Sequence, residues 1–405
     1  MLMRNSQVRL ILLTVACGTA ALMTGCAQKQ PAKTAATEAA KDTEWMKARY
    51  GAWGGPGVRA APGPMDSVAL KDYAPKPSVV VPETSVPKAR YPAVDVHTHA
   101  NVAKTPEQVA EWVRTMDEVG IETTVVFSGA TGAEFDKLVE LYLKSYPGRF
   151  QLYCSLDKTD IDKPDYPQRA VAELARCYKK GARGVGELTD KGSGLSGTSR
   201  AVNQDLPKDK RLHFDDARLD AFWEKCAELK LPVNIHVADH PSCWKPLDAY
   251  QERTPDYQHF NQYGKDVLSW EELIASRGRL VAKHPKTIFI ACHLGNQGHD
   301  LDALGKELDR YPNLYLDISA RDYEVGRTPK AAVKFLNKYK DRVMFGTDMG
   351  REKQMYTAWW RLFESGDEFM PGRVWWRYYG LELQQPVLQN LYRGNAKRIM
   401  NWEKL

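Results

Sequence analysis

The chain has 405 residues, 43% hydrophobic, 27% charged and 10% aromatic, enough for one large globular domain or two ordinary ones and inconsistent with overall disorder. Its 57 basic against 51 acidic side chains give +6 at neutral pH, an excess too thin and too dispersed for a nucleic-acid-binding surface. Only one segment near membrane-spanning length is apolar, at the N-terminus, which excludes a polytopic membrane protein.

That N-terminal segment reads as an address. Arg4 and Arg9 precede the apolar run from Leu10 to Ala16, and Leu22-Met23-Thr24-Gly25-Cys26 follows. A basic stretch, a short apolar stretch and a small-residue cleavage site describe a secretory signal peptide over residues 1–25. The cysteine after Thr-Gly is similar to a bacterial lipobox, with Met23 where leucine is usual. Acylation of Cys26 would tether an exported domain to a membrane without a spanning helix, facing the periplasm or the cell exterior. Export would permit disulfides. The remaining Cys154, Cys177, Cys226, Cys243 and Cys292 are odd in number and widely spaced, and no Cys-x-x-Cys occurs. That argues against a disulfide framework and a thiolate zinc site. Residues 27–92 hold nine of the 23 prolines, so no long helix or central strand forms there. Residues 26–90 are therefore expected to be a tether and a wrapping segment ahead of a domain over 91–405.

From Tyr91 onward short β-branched runs alternate with amphipathic helical stretches. The predicted strands are Ala93–His97, Glu122–Phe127, Phe150–Ser155, Ala182–Glu187, Pro232–His236, Thr287–His293, Asn313–Ile318 and Arg342–Thr347. Helical patterns cover Pro106–Met116, Ala133–Leu143, Arg169–Lys179, Ala217–Leu229, Trp270–Arg277, Leu301–Arg310 and Lys330–Lys338. This count is that of an α/β (β/α)8 TIM barrel, with enlarged loops Leu188–Asp216 after strand 4 and Val237–Ser269 after strand 5. A doubly wound open sheet would usually carry a glycine-rich loop after its first strand; here that strand runs into His97-Thr98-His99.

His97 and His99 share a strand face. Two adjacent imidazoles at the carboxyl end of a barrel strand are good ligands for a borderline divalent metal. Strand 4 ends in Glu187, strand 5 in His236, strand 6 in His293, and Asp348 follows strand 8. Four of the nine histidines thus finish strands or directly follow one, where packing needs no polar residue. The pattern predicts a metal centre.

His97-x-His99, a histidine on each of strands 5 and 6, and Gly346-Thr347-Asp348 resemble the amidohydrolase superfamily. The resemblance is closest to the amidohydrolase-related branch that includes aminocarboxymuconate-semialdehyde decarboxylase and related hydrolases. Tyr311 to Ser319 and Asn395-Ala396-Lys397-Arg398 match as well, so the resemblance covers about residues 91–401. It implies that His97, His99 and His236 hold a metal, with Asp348 binding the metal or its water and acting as general base. His293 would be a second-metal ligand or the group that polarises the substrate. Many two-metal members carry a carbamylated lysine at the end of strand 4. Glu187 stands there instead, as a bridge between two ions or as a hydrogen-bond partner of the loop or of a strand-1 histidine. The implied cofactor is a divalent metal, zinc or manganese, as one or two ions.

Asp317, Ser319 and Arg321 follow strand 7, and Arg321 could grip a substrate carboxylate or pair with Asp317 or the loop around Asp348. Trp244, Tyr250, Tyr257, Phe260 and Tyr263 in the second insertion could line a pocket or pack the loop onto the barrel, with Trp244 expected to bind substrate. His240, His259 and His299 read as solvated or capping residues, and His213 and His284 receive no role. Three functions follow. They are metal-dependent hydrolysis of a small carbonyl or phosphoryl compound, non-oxidative decarboxylation, and, weakest, ligand binding by a non-catalytic lipoprotein. A homo-oligomer stays open.

Overall fold

The computed structural model describes residues 63, 67–74 and 76–400, apart from Ala249, 254–257 and Trp375. The expected signal peptide, Cys26 and the segment up to residue 62 lie outside the described residues, as does Tyr257. The described residues up to Ser78 belong to a unit separate from the rest, and Leu70–Asp72 is a 3-10 turn. Among the described residues no helix is long and apolar enough to cross a membrane.

From Val79 the second unit holds the alternating pattern. Its strands are β1 Ala93–His99, β2 Ile121–Phe127, β3 Phe150–Tyr153, β4 Val185–Asp190, β5 Val233–Val237, β6 Phe289–Ala291, β7 Leu314–Asp317 and β8 Val343–Met344. They read as near-continuous apolar runs because parallel strands are covered on both faces. All pairings are parallel, in two arcs, β1-β2-β3 and β4 through β8. Backbone bonds join the arcs on one side between Cys154 N and Gly184 O (3.1 Å) and between Gly186 N and Cys154 O (3.0 Å). On the other side Val96 N meets Phe345 O at 3.0 Å and Asp348 N meets His97 O at 2.8 Å. The ring is closed, as the (β/α)8 count expects.

The outer layer is α1 Pro106–Val119, α2 Gly132–Leu138, α3 Tyr166–Lys180, α4 Asp220–Glu228, α5 Trp270–Lys283, α6 Leu301–Arg310, α7 Asp322–Val325, α8 Pro329–Lys338, α9 Lys353–Glu364, α10 Gln385–Gln389 and α11 Asn395–Ile399. Local chemistry sets the ends. Thr105 caps α1 through Gln108 N, and Gly120 ends it at a left-handed φ of 89°. A capping box between Ser269 and Glu272 starts α5. The Trp359-Trp360 pair is core: both are buried on α9, and Trp360 lies 4.9 Å from both Phe345 and Tyr392 between ring centroids. The five described cysteines are buried free thiols.

Strands 6 and 8 are shorter than their sequence suggests, for one physical reason. After Ala291 and Met344 the chain leaves the sheet and reaches left-handed residues, His293 at φ 61° and Asp348 at φ 51°. Such conformations cost of order 1–3 kcal/mol each and persist where surroundings over-determine them. Here His293 N donates to Asp317 Oδ1 at 3.0 Å and Asp348 N to His97 O at 2.8 Å. β1 and β4 instead run on to His99 and Asp190.

Candidate metal centre and its cavity

At the carboxyl end of the barrel, side chains from β1, β4, β5 and the segments after β6 and β8 converge. Gly346 permits one approach, since a Cβ there would lie 2.8 Å from His97 Cβ. Three imidazoles are held from outside through one ring nitrogen and turn the other toward Glu187. His97 Nδ1 is 3.0 Å from Asp317 Oδ2, and its Nε2 is buried without a hydrogen-bond partner, 3.7 Å from Glu187 Oε1. His236 Nε2 is 3.1 Å from Asp239 Oδ1 and its Nδ1 3.0 Å from Glu187 Oε1. His293 Nδ1 is 3.0 Å from the Ser319 carbonyl and its Nε2 3.3 Å from Glu187 Oε1. His99 Nε2 sits 3.1 Å from Asp348 Oδ1 and 3.7 Å from Glu187 Oε2.

This donor set fits a divalent cation. The outer acceptors each hold one ring proton, so the inner nitrogens offer lone pairs once a cation displaces any second proton. His293 Nε2 and His236 Nδ1 then face each other at 3.2 Å, an arrangement that needs a proton or a cation nearby. Within 4.8 Å of one another lie ligand atoms of His97, His99 and Glu187, of Glu187, His236 and His293, and of His97, His293 and Asp348. Glu187 belongs to two of these groups. Imidazole and carboxylate ligands suit zinc, and the outer carboxylates fix ring orientation and basicity.

The electrostatics express the same crowding. Burial pulls the His97 imidazole down, but Asp317, Asp348 and Glu187 outweigh it and push it up to about 10. Burial would raise Glu187 and Asp348, yet the imidazoles beside them hold both carboxyls well below their usual range. Asp317 is fully buried and still falls to about 2, because His97 lies against it. Burial, then His236, lowers His293.

The cluster opens onto a cavity of about 340 Å³ whose walls include His236, His293 and Asp348. Asp348 keeps 28% of its side chain accessible there. Lys191, Arg253, Arg321 and Arg373 also line it, against Asp239 and Asp348 as acids. Arg321 turns to the Asn296 side-chain oxygen and lies 3.7 Å from Glu324, not onto Asp317. Of the insertion aromatics, Phe260 lines the cavity, beneath Lys191 Nζ at 5.4 Å. Trp244 is outside the cavity walls: its indole N–H donates to Leu268 O at 2.9 Å and the ring packs on the core. Tyr250 and Tyr263 are exposed.

Three acids matter more than their sequence positions suggest. Asp317 holds His97, and it accepts from His293 N at 3.0 Å and Ser319 N at 3.1 Å. Asp95 accepts from Thr347 N (3.0 Å) and Thr347 Oγ1 (2.7 Å), fastening β1 to the chain before Asp348. Asp239 joins His236 to Lys191, whose Nζ is 3.0 Å away. Only its place three residues after a strand-end histidine marks Asp239 in the sequence. His213 and His284 are structural, paired with Asp190 at 2.6 Å and Asp220 at 3.1 Å.

A family model described as amidohydrolase matches residues 93–402. No curated protein sequence matches the chain. Among solved structures, 2,6-dihydroxybenzoate decarboxylase from Rhizobium is 17% identical, with 77% of this chain and 99% of that chain covered and a TM-score of 0.47. 4-Oxalomesaconate hydratase from Rhodopseudomonas palustris gives 17%, 77%, 96% and 0.47. An amidohydrolase from Burkholderia multivorans gives 14%, 76%, 99% and 0.43.

Because Asp317, Asp348 and Glu187 outweigh burial and favour a second proton on His97, at its inner Nε2, cation binding must displace that proton. Zinc affinity should therefore rise with pH between 6 and 9, by about tenfold per unit for each proton released. Competition titration against a chelator reads this. In Asp317→Asn the affinity should fall roughly 10–100-fold, with the far-ultraviolet circular dichroism unchanged; a pH-independent affinity would contradict the proton assignment.

Proposed function

Because the chain belongs to the amidohydrolase family, whose members are metal-dependent enzymes acting on small molecules, we propose that it is a hydrolase of a small amide, ester, lactone or phosphoryl compound with Asp348 as general base. His97, His99, His236, Glu187 and Asp348 would hold zinc, with manganese as the alternative. When bound, the cation supplies Lewis acidity, acidifying a water and polarising the substrate oxygen. The observation that carries hydrolysis over other chemistry is Glu187, whose carboxylate is shared between the donor group of His97 and His99 and that of His236 and His293.

The side chains divide the work. Asp348 is ionised and reaches the cavity, so it accepts a proton from a water there and returns it to the leaving group. Neutral His293 turns Nε2 inward, completing the second donor group or, with a single ion, facing the substrate oxygen. Arg321, in the cavity wall, positions an anionic part of the substrate. That residue, with three further cations in the wall, also supports a second reading, decarboxylation of a carboxylated substrate. Carbon dioxide release without consumption of water would select it.

Asp348→Asn is expected to lower turnover of the best ester, lactone, amide or phosphoester in a panel by about 10²–10⁴-fold. Metal content, checked by elemental analysis, should stay at half the wild-type value or more. Full turnover in this variant contradicts the general base. We further propose that Cys26 is acylated: Cys26→Ser should move the chain from the membrane to the soluble fraction, and a variant that stays membrane-bound contradicts this.

A further inference from the structure

Beside the catalytic cavity runs a second, apolar groove of about 560 Å³, whose walls include Val86, Met349, Met355, Ala358, Leu362 and Met370. Its inner end is built from chain neighbours of the cavity residues. Met349 directly follows Asp348, Asp322 directly follows Arg321, and Arg373 lines both spaces. Arg373 is fixed as the partition: its Nη2 bonds Asp322 Oδ1 and the Ala320 carbonyl, each at 2.8 Å, and its guanidinium lies 4.7 Å over the Tyr323 ring.

We propose that this groove takes the flexible alkyl or acyl tail of a substrate whose polar, anionic head occupies the catalytic cavity. The inference deepens the hydrolase reading and rests on it. Three observations support the occupant. The cavity wall is rich in cations while the groove is apolar, which is the polarity of an amphipathic molecule laid across Arg373. Three of the named wall residues are methionines, whose unbranched thioethers adapt to a chain of variable shape. Met349 is 37% exposed right after the proposed base, where packing gives no reason for a large apolar side chain.

The test uses the zinc-loaded full chain and straight-chain carboxylates from butyrate to dodecanoate, with binding measured by calorimetry. Beyond hexanoate, Kd should fall about twofold to fourfold per added methylene. Ala358 is exposed on α9, so Ala358→Trp fills the groove without touching the core and should flatten the chain-length dependence. Each Kd is compared with that for butyrate in the same variant, because a folding defect would weaken both. A flat series in the wild type, or an undiminished slope in Ala358→Trp, overturns the tail site. So does a dimer, seen by light scattering, that Ala358→Trp dissociates, since a second copy would then cover the groove. Failure of the catalytic reading shows separately, as a zinc-loaded chain that turns over no ester, lactone, amide or phosphoester of the panel, and would take the inference with it.

Discussion

One buried carboxylate, Asp317, organises the carboxyl end of the barrel. It is fully buried, yet it stays ionised because His97 Nδ1 lies 3.0 Å away and the backbone N–H groups of His293 and Ser319 point at it. An isolated buried carboxylate would neutralise itself; this one is paid for by four donors, the Ser319 hydroxyl being the fourth, and it fixes two imidazoles in return. The left-handed turn at His293 exists because that turn delivers its N–H to Asp317. The orientation of His97 follows from the same oxygen pair, and the orphaned inner Nε2 of His97 follows from that orientation.

From this point the geometry spreads outward by short links. Asp239 does for His236 what Asp317 does for His97, and it carries the link on to Lys191 at the cavity wall. Asp95 ties β1 to Thr347, so that Asp348 stands beside His99. Glu187 needs no such support, because the imidazoles around it are its partners. Second-layer carboxylates therefore point the rings, and the rings gather around a single inner carboxylate.

Much of this was legible in the sequence. Parallel barrel strands are buried on both faces, so β-branched runs closed by glycine and proline located all eight strands and most of the helices. The histidines and acids at strand ends stood out because polar residues terminate otherwise apolar runs. What sequence could not give depends on tertiary partners. The early ends of β6 and β8 come from left-handed turns set by Asp317 and by the His97 carbonyl. Asp239, Lys191 and Arg373 sit among many polar loop residues, with no periodicity to mark them. Trp244 was expected at the substrate, but Leu268 O takes its N–H and the ring serves to pack the insertion.

The most direct measurement is the number of metal equivalents per chain, by elemental analysis of protein purified without chelator and resupplied with zinc. Two donor groups sharing Glu187 predict about two equivalents, falling to one or fewer in Glu187→Gln. A single equivalent that Glu187→Gln leaves unchanged would contradict the shared carboxylate and turn the assignment to decarboxylation. No bound metal at all would contradict the metal centre itself.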